Sequence, residues 1–512
     1  MKKPQTDAIG YLPPSTVKVT AVLLALLQAA CLCARADGRA SWPQFRGPNG
    51  QGISACAHPP LSFSKATAAW SVEVPPGHSS PAVLGNKIFL TAFEAKKLDC
   101  RAYDRTTGKL LWAKPVATEK IEETHVFSNP AAATPAADAD HVVFYIGSYG
   151  LLAYTHDGQL SWERKLPQQV SRGHYGSGTS PVLCDDLVIL ALDSDEGGSR
   201  LLAVRRASGD LAWEIPRPLF MAGWSTPVVC TKAGHSEIVL LGSKKLVAYN
   251  PTDGQELWSV PGFTMETACS PAFDGDRVFA CSAGLGGRSS LHFESSFWAQ
   301  LLVFDANKDG KIQINEVPED FHLVLRPELP EGHPGRLLPF NVKGMLKGMD
   351  EDKDGAVSEQ ELIKFTEGFE KSDAPVLMAV RPGQSVKNED RVAWTNSRGI
   401  PEVPSPLAYQ GKLYLVRDGG LLQCVDTRTG SVLYQERIGA SGGYTASPVA
   451  AEDRIYLASQ SGTITVIDAR SDKLHVLAQN ALEEKITATP ALVDNSIYVR
   501  TDKHLYAFSG GN

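Results

Sequence analysis

Two stretches of this 512-residue chain place oxygen-bearing side chains at the spacing a hard cation needs. One runs Asp305-Ala306-Asn307-Lys308-Asp309-Gly310-Lys311-Ile312-Gln313-Ile314-Asn315-Glu316. The other runs Asp350-Glu351-Asp352-Lys353-Asp354-Gly355-Ala356-Val357-Ser358-Glu359-Gln360-Glu361. Both fit D-x-[DN]-x-[DN]-G-x5-E at every constrained place. Side chains at positions 1, 3 and 5 converge on the ion, and glycine at 6 permits the sharp turn. The carbonyl at 7 (Lys311 or Ala356) adds an oxygen, position 9 (Gln313 or Ser358) approaches directly or through water, and Glu316 or Glu361 closes the site.

The residues around these loops are the elements that must hold them. Ile312 and Val357, both at position 8, are expected to pair in a short strand contact. Helix-compatible segments cover 293–304 before the first loop and 358–370 out of the second. The whole resembles a paired EF-hand, which implies calcium. Asp350, Asp352, Asp354 and Glu361 give the second loop four carboxylates. Asn307 is neutral in the first, so tighter binding is expected at the second.

Outside this region a Ser/Thr-Pro dipeptide opens a strand-like run eight times, at Pro81, Pro135, Pro181, Pro227, Pro271, Pro406, Pro448 and Pro490. Successive spacings are 54, 46, 46, 44, 135, 42 and 42 residues. Each unit continues as a hairpin, as in the run from Pro181 to Leu190, then a third strand such as Arg101-Ala102-Tyr103. A turn then leads to an aromatic in a fourth strand: Trp112, Trp162, Trp213, Trp258 and Trp394, with Tyr434 and the Val476 region as replacements. Four strands in about 45 residues is the arithmetic of a propeller blade. The predicted fold is all-β: an eight-bladed β-propeller with an inserted α-helical EF-hand pair. The strand around Trp70 is expected to complete the last blade, protecting the edges an open array would expose. The tryptophans are read as packing between blades rather than as ligand sites.

The pattern Ala102-Tyr103-Asp104-x-x-Thr107-Gly108-x-x-x-Trp112, echoed from Ala248 to Trp258, resembles the PQQ-like β-propeller repeat. That family includes pyrroloquinoline-quinone dehydrogenases and BamB-like assembly scaffolds. The opening Trp42-Pro43-Gln44-Phe45-Arg46-Gly47-Pro48-Asn49-Gly50 looks like the start of secreted bacterial members. The resemblance covers Trp42 to Phe508 except for one insert. The expected division is a signal peptide at 1–36, propeller at 37–285, EF-hand pair at 286–373 and propeller again at 374–512.

Composition agrees with a folded chain: 43% hydrophobic and 21% charged. Gly 45 and Pro 33 lean toward many turns, and a net charge of -7 supplies no basic field for nucleic acid. Lys2, Lys3 and Lys18 precede the apolar run Val19 to Leu27, and Ala34-Arg35-Ala36 follows as a small-x-small cleavage site. An exported chain, periplasmic or extracellular, without a membrane span after cleavage is expected. Cys31 and Cys33 raise a lipoprotein alternative, but Gln28-Ala29-Ala30 lacks the apolar residue three places upstream. Seven further cysteines are scattered, so at least one is unpaired, and Cys269 and Cys281 are placed to face each other across a hairpin.

Segments just before the first strands should line one mouth of the channel, carrying His78, Tyr175, Trp224, Glu266, Tyr444 and Lys485. No catalytic constellation is legible: no nucleophile with a base, no phosphate-cradling glycine loop, no zinc spacing, no C-x-x-C-H. The mature chain also lacks the adjacent Cys-Cys pair that alcohol-oxidising quinoproteins use. The expectation is a calcium-binding propeller serving as a protein-interaction or envelope scaffold for an unidentified protein or polymer. The alternatives are a PQQ-dependent periplasmic oxidoreductase, with PQQ unsupported by any site motif, and a carbohydrate-binding propeller.

Overall fold

The computed structural model describes residues 41–171, 174–283, 295–324, 331–332, 336–337, 342–370 and 374–510. The expected signal peptide lies outside them. Eight antiparallel four-stranded blades carry the eight Ser/Thr-Pro units, the first extended by the short strand Ser41–Trp42. Blade 1 is Ala82–Leu84, Lys87–Glu94, Lys97–Asp104 and Leu110–Val116. In blade 8 the sequence supplies three strands, and Trp70–Glu73 pairs with His504–Ser509 to supply the fourth, Trp70 opposite Ala507. Blade 5 carries the insert between its second and third strands, Val278–Ser282 and Val376–Val380, which pair directly with each other.

The dipeptide that sets the period has a physical role in both halves. Proline stands just before the innermost strand, where no ladder donor is lost. The Ser or Thr before it joins the blades: its backbone N–H donates to the hydroxyl of the equivalent residue in the next blade. The series runs Ser80 to Thr134 to Ser180 to Thr226 to Ser270 to Ser405 to Ser447 to Thr489 and returns to Ser80. Every bond measures 2.9–3.1 Å and every residue is buried, so the ring of eight is unbroken.

A second set of contacts ties the outer halves of the blades. The indole of Trp70 lies on Gly108 of the next blade, where an added Cβ would come within 2.5 Å of the ring, and its Nε1 donates to Arg105 O at 2.9 Å. Trp112, Trp162, Trp213 and Trp394 repeat this arrangement on Gly158, Gly209, Gly254 and Gly430. The turn glycine, preceded by Thr, Asp or Ser, is therefore the seat for its neighbour's tryptophan. In blades 1 to 7 a register shift in the third and fourth strands sits at this position, re-aiming the side chain toward the next blade. Trp258 departs from the pattern, since no turn glycine of blade 5 lies against it. It bonds Glu237 Oε2 instead and lies 4.7 Å from the Arg391 guanidinium. Tyr434 holds the equivalent place in blade 6, and Ala478 holds it in blade 7.

The core follows the ring, with clusters between successive blades rather than one central mass. The insert has a separate core of Phe297, Trp298, Leu301, Ile312, Leu346, Met349, Val357 and Leu362. Cys100, Cys184, Cys230, Cys269, Cys281 and Cys424 are buried free thiols, as their apolar surroundings require. Cys281 does meet Cys269, which with burial pushes its thiol pKa up.

Ser405→Ala removes one acceptor from the hydroxyl ring and leaves the Ser270 N–H unpaired. A loss of about 1–3 kcal/mol is expected, with Ser405→Thr close to wild type. Urea denaturation of the three proteins checks this; equal losses for Ala and Thr would show that the hydroxyl is not what joins the blades.

Candidate functional site

The axial channel is not open at both ends. Residues Trp42 to Ser54 cross it and use the free inner edges of the blades. Ser41–Trp42 pairs antiparallel with Val83–Leu84 of blade 1. Pro43 O accepts from Ala137 N at 2.7 Å, Gln44 Oε1 from Leu183 N at 3.0 Å and Gln51 Oε1 from Phe273 N at 2.7 Å. Gly52 O accepts from Ala450 N at 2.8 Å, and Arg46 reaches the carbonyls of Pro271 and Pro406. The inner-edge amides, each two residues past the repeat proline, thus gain partners that no neighbouring strand provides. Packing is close: a Cβ at Gly52 would lie 3.1 Å from Pro448 O, and one at Gly47 would lie 2.5 Å from the Trp42 ring. The sequence singled out this segment only as a resemblance. Its glycines and its polar Gln44, Arg46 and Gln51 were the available signal for a segment threaded among backbones.

The opposite mouth is built from the loops that lead into each innermost strand. Tyr175 and Trp224 meet there with ring centroids 5.6 Å apart, and His125 adds to the row at 5.1 Å from Tyr175. Trp224 Nε1 donates to Gly176 O at 2.8 Å, fixing the indole between two loops. Tyr444 does not line this mouth as expected; it is buried, its hydroxyl donating to Ala440 O at 2.9 Å. Its position before a first strand was right, but a tyrosine ring buries better than it solvates when a carbonyl can take its hydroxyl. His78 is held down to about 4 by burial, then by Arg500 and Lys485, so it is neutral at ordinary pH. Four apolar side chains stand exposed on these loops: Val126 at 73%, Leu219 at 87%, Met265 at 38% and Phe127 at 37%.

Sequence reasoning missed Glu122. It lies in the loop from blade 1 to blade 2, almost wholly buried, with Oε2 accepting from Ser177 N at 3.0 Å and Ser177 Oγ at 2.9 Å. Its Oε1 has no partner, and burial raises its carboxyl to about 7 despite the two bonds from Ser177. No motif marks a lone glutamate in a loop, so only the fold reveals it.

The two cation loops take nearly the same shape. Asp305 accepts from the N–H groups of Asp309 and Gly310 at 3.2 and 3.0 Å, and Asp350 from those of Asp354 and Gly355 at 3.1 and 3.0 Å. Gly310 and Gly355 have φ of 78° and 87°, the left-handed turn that position 6 demands. Ile312 and Val357 pair across an antiparallel bridge, both fully buried, which brings the loops side by side. In the second loop, carboxylate oxygens of Asp350, Asp352 and Glu361 lie within 4.8 Å of one another. Asp354 is turned to Lys311 Nζ, which holds its carboxyl below the usual range. Ala356 and Ser358 sit in the short strand, and Glu361 accepts from Ser358 N at 2.9 Å and Glu351 N at 3.0 Å. In the first loop Asn307 donates to Asp309, while Lys311 and Gln313 lie in the paired strand. Glu316 carries a buried Oε2 without a partner, an acceptor suited to a cation. The donor set is all oxygen, which suits calcium.

A planar quinone bearing three carboxylates would need open axial space and unspent cationic donors. Around the axis, residues 42–54 fill the closed end. Arg217 is committed to Asp193 at 2.8 and 2.9 Å, and Arg500 donates to Ser79 and to Pro75 O. Arg217, paired with Asp193, is not available to such a group.

Eight four-stranded blades around a filled channel, with an EF-hand-like insert, define a β-propeller of the PQQ-like repeat type. The family described as outer membrane protein assembly factor BamB matches residues 96–291 and 342–511, more than half of the chain, and the chain belongs to it. A family described as EF hand matches residues 299–317. No curated protein matches the chain. Among solved structures, a europium-containing methanol dehydrogenase is similar at 12% identity and a TM-score of 0.51, over 92% of this chain and 98% of that one. The computationally designed Ika8 protein has 12% identity and a TM-score of 0.51, over 88% and 99%. BamB from Moraxella catarrhalis has 10% identity and a TM-score of 0.49, over 87% and 99%. At 12% identity the likeness to the methanol dehydrogenase and to Ika8 shows the fold alone.

The carboxyl of Glu122 titrates higher when folded than the ordinary 4.5, so the native state holds its proton more tightly. Its contribution is fully present below pH 4.5 and declines as pH rises to about 7. Glu122→Gln should therefore gain on wild type across that window, by roughly 2–3 kcal/mol above it. Thermal unfolding of both proteins from pH 4 to 8 reads the difference; parallel curves would refute it.

Proposed function

We propose that this chain is an exported, calcium-binding propeller that serves as a protein-interaction or envelope scaffold module. The observation that carries the reading is the contrast between the channel's two ends. One is filled by the chain's own residues 42–54, and the other presents Val126, Phe127, Leu219 and Met265 to solvent beside the Tyr175–Trp224 row. Exposed apolar side chains grouped on loops over a rigid ring are what a partner-binding surface requires. No described helix is long and apolar enough to cross a membrane. Export rests on the layout of residues 1–36, and calcium on the two loops.

The proposed ligands are Asp305, Asn307, Asp309, Gln313 and Glu316 with the Lys311 carbonyl, and Asp350, Asp352, Asp354, Ser358 and Glu361 with the Ala356 carbonyl. The insert is small and its core modest, so metal that binds only the folded form would stabilise it.

Calorimetric titration should show two calcium sites, the tighter removed by Glu361→Gln. Limited proteolysis should cut within 290–372 in chelator and be slowed by calcium. An identical cleavage pattern in both conditions sinks the calcium-ordered insert. Partner capture from envelope extracts should fall when Leu219 and Val126 are both changed to Asp. With added PQQ, calcium and a dye acceptor, no cofactor-dependent dye reduction by alcohols or sugars is expected; reduction would overturn the scaffold reading.

A further inference from the structure

The two cation loops differ at position 7, which is Lys311 in the first and Ala356 in the second. Such a loop uses only the carbonyl of that residue, so the side chain is left for another task. Lys311 pairs with Ser358 across the short strands, and its Nζ bonds Asp354 Oδ2, at position 5 of the second loop. The other carboxylate oxygen of Asp354, Oδ1, accepts from Ala356 N at 2.8 Å. A position-5 aspartate gives one oxygen to the ion. The oxygen that the turn leaves for that purpose is the one Lys311 holds. Oxygens of Asp350, Asp352 and Glu361 already lie within 4.8 Å of one another, and Asp354 stands outside that group. The ammonium also feels the group itself: Asp354 first, then Asp352 and Glu361, hold its pKa above the ordinary lysine value. In the first loop the corresponding partner is neutral. Asp309 Oδ1 accepts from Lys311 N at 2.9 Å, and Oδ2 accepts from the amide of Asn307 at 2.8 Å. Ala356, at the equivalent position, has no side chain long enough to reach across to it.

We infer that Lys311 is a tethered counter-cation of the second loop, which calcium must displace from Asp354 to complete that site. The inference rests on the calcium reading above and deepens it, since it names the residue that links the two loops. Lys311 offers its carbonyl to one site and its ammonium to a ligand of the other, so filling either site bears on the same residue. The pair is open to solvent, with 40% of the lysine side chain and 37% of the aspartate exposed, so the competition is modest rather than a block. Four carboxylates keep the second loop the tighter site, and Lys311 narrows its lead over the first.

Calcium titration of the full chain by calorimetry decides it, with Glu361→Gln assigning the second site. Lys311→Met should bind calcium there about 3- to 10-fold more tightly than wild type, whereas Lys311→Arg, which keeps the charge, should stay within about twofold. Lys364→Met is the control. It removes an ammonium that bonds Glu351, at the non-ligating position 2 of the same loop, and should change the constant by less than about twofold. Crystals grown with calcium should show Asp354 Oδ2 on the ion and Lys311 Nζ withdrawn from it. A second-site affinity unchanged in Lys311→Met, or raised equally by Lys364→Met, would overturn the inference and leave the calcium reading standing. Absence of calcium binding by the wild type would refute that reading and the inference with it.

Discussion

Each blade of this protein is a short sheet with two edges and no core of its own, and everything else depends on how one blade is joined to the next. The central join is a single hydrogen bond, repeated: an N–H of one blade to the Ser or Thr hydroxyl of the following one. Eight copies return to the starting residue, from Thr489 to Ser80. Closure matters because the ring shares strain among equivalent bonds, and a missing member would leave a buried amide unpaired on one blade. It also explains why the position takes only Ser or Thr. The side chain must accept a bond from its neighbour within the short reach of a Cβ substituent.

The outer tryptophans add the second constraint. An indole can lie against the neighbouring turn only where that turn has no side chain, and its N–H needs a carbonyl within reach. The turn glycine and a nearby turn carbonyl offer both, so strand, turn and tryptophan form a unit spanning two blades. Blade 5 shows the dependence by exception. Its turn is lengthened and brings no glycine against the indole, so Trp258 turns to Glu237 and Arg391. The third- and fourth-strand side of that blade is also where the insert returns to the ring, at Val376.

A ring held in this way leaves its axis to be filled or used. Here the chain fills one end with its own residues, pairing inner-edge amides that would face the channel. On the proposed reading, recognition falls to the loop-bearing mouth and cation binding to the insert. The mouth combines a fixed aromatic pair, a buried glutamate that titrates near neutrality and exposed apolar side chains. The insert is built on a different principle. Its geometry is local, set by aspartates that cap their own turns and by glycines at the sixth position.

That difference divides what could be read from what could not. The repeat spacing, the four strands per blade, the strand at Trp70 that closes the ring and the paired loops were all legible in the sequence. Each is fixed by local periodicity, by turn residues or by ligand spacing within twelve positions. The sequence marked the Ser/Thr-Pro dipeptide but credited only its proline, since the hydroxyl's partner lies a full blade away. It placed Tyr444 at the mouth, and burial took it inside. It left Trp42 to Ser54 unassigned, and Glu122 unseen, because their roles arise from residues hundreds or tens of positions distant. Local order determined the parts of this protein. The tertiary structure alone decided which end of the channel is closed, because that depends on which unpaired backbone edges the closed ring brings within reach of one short segment.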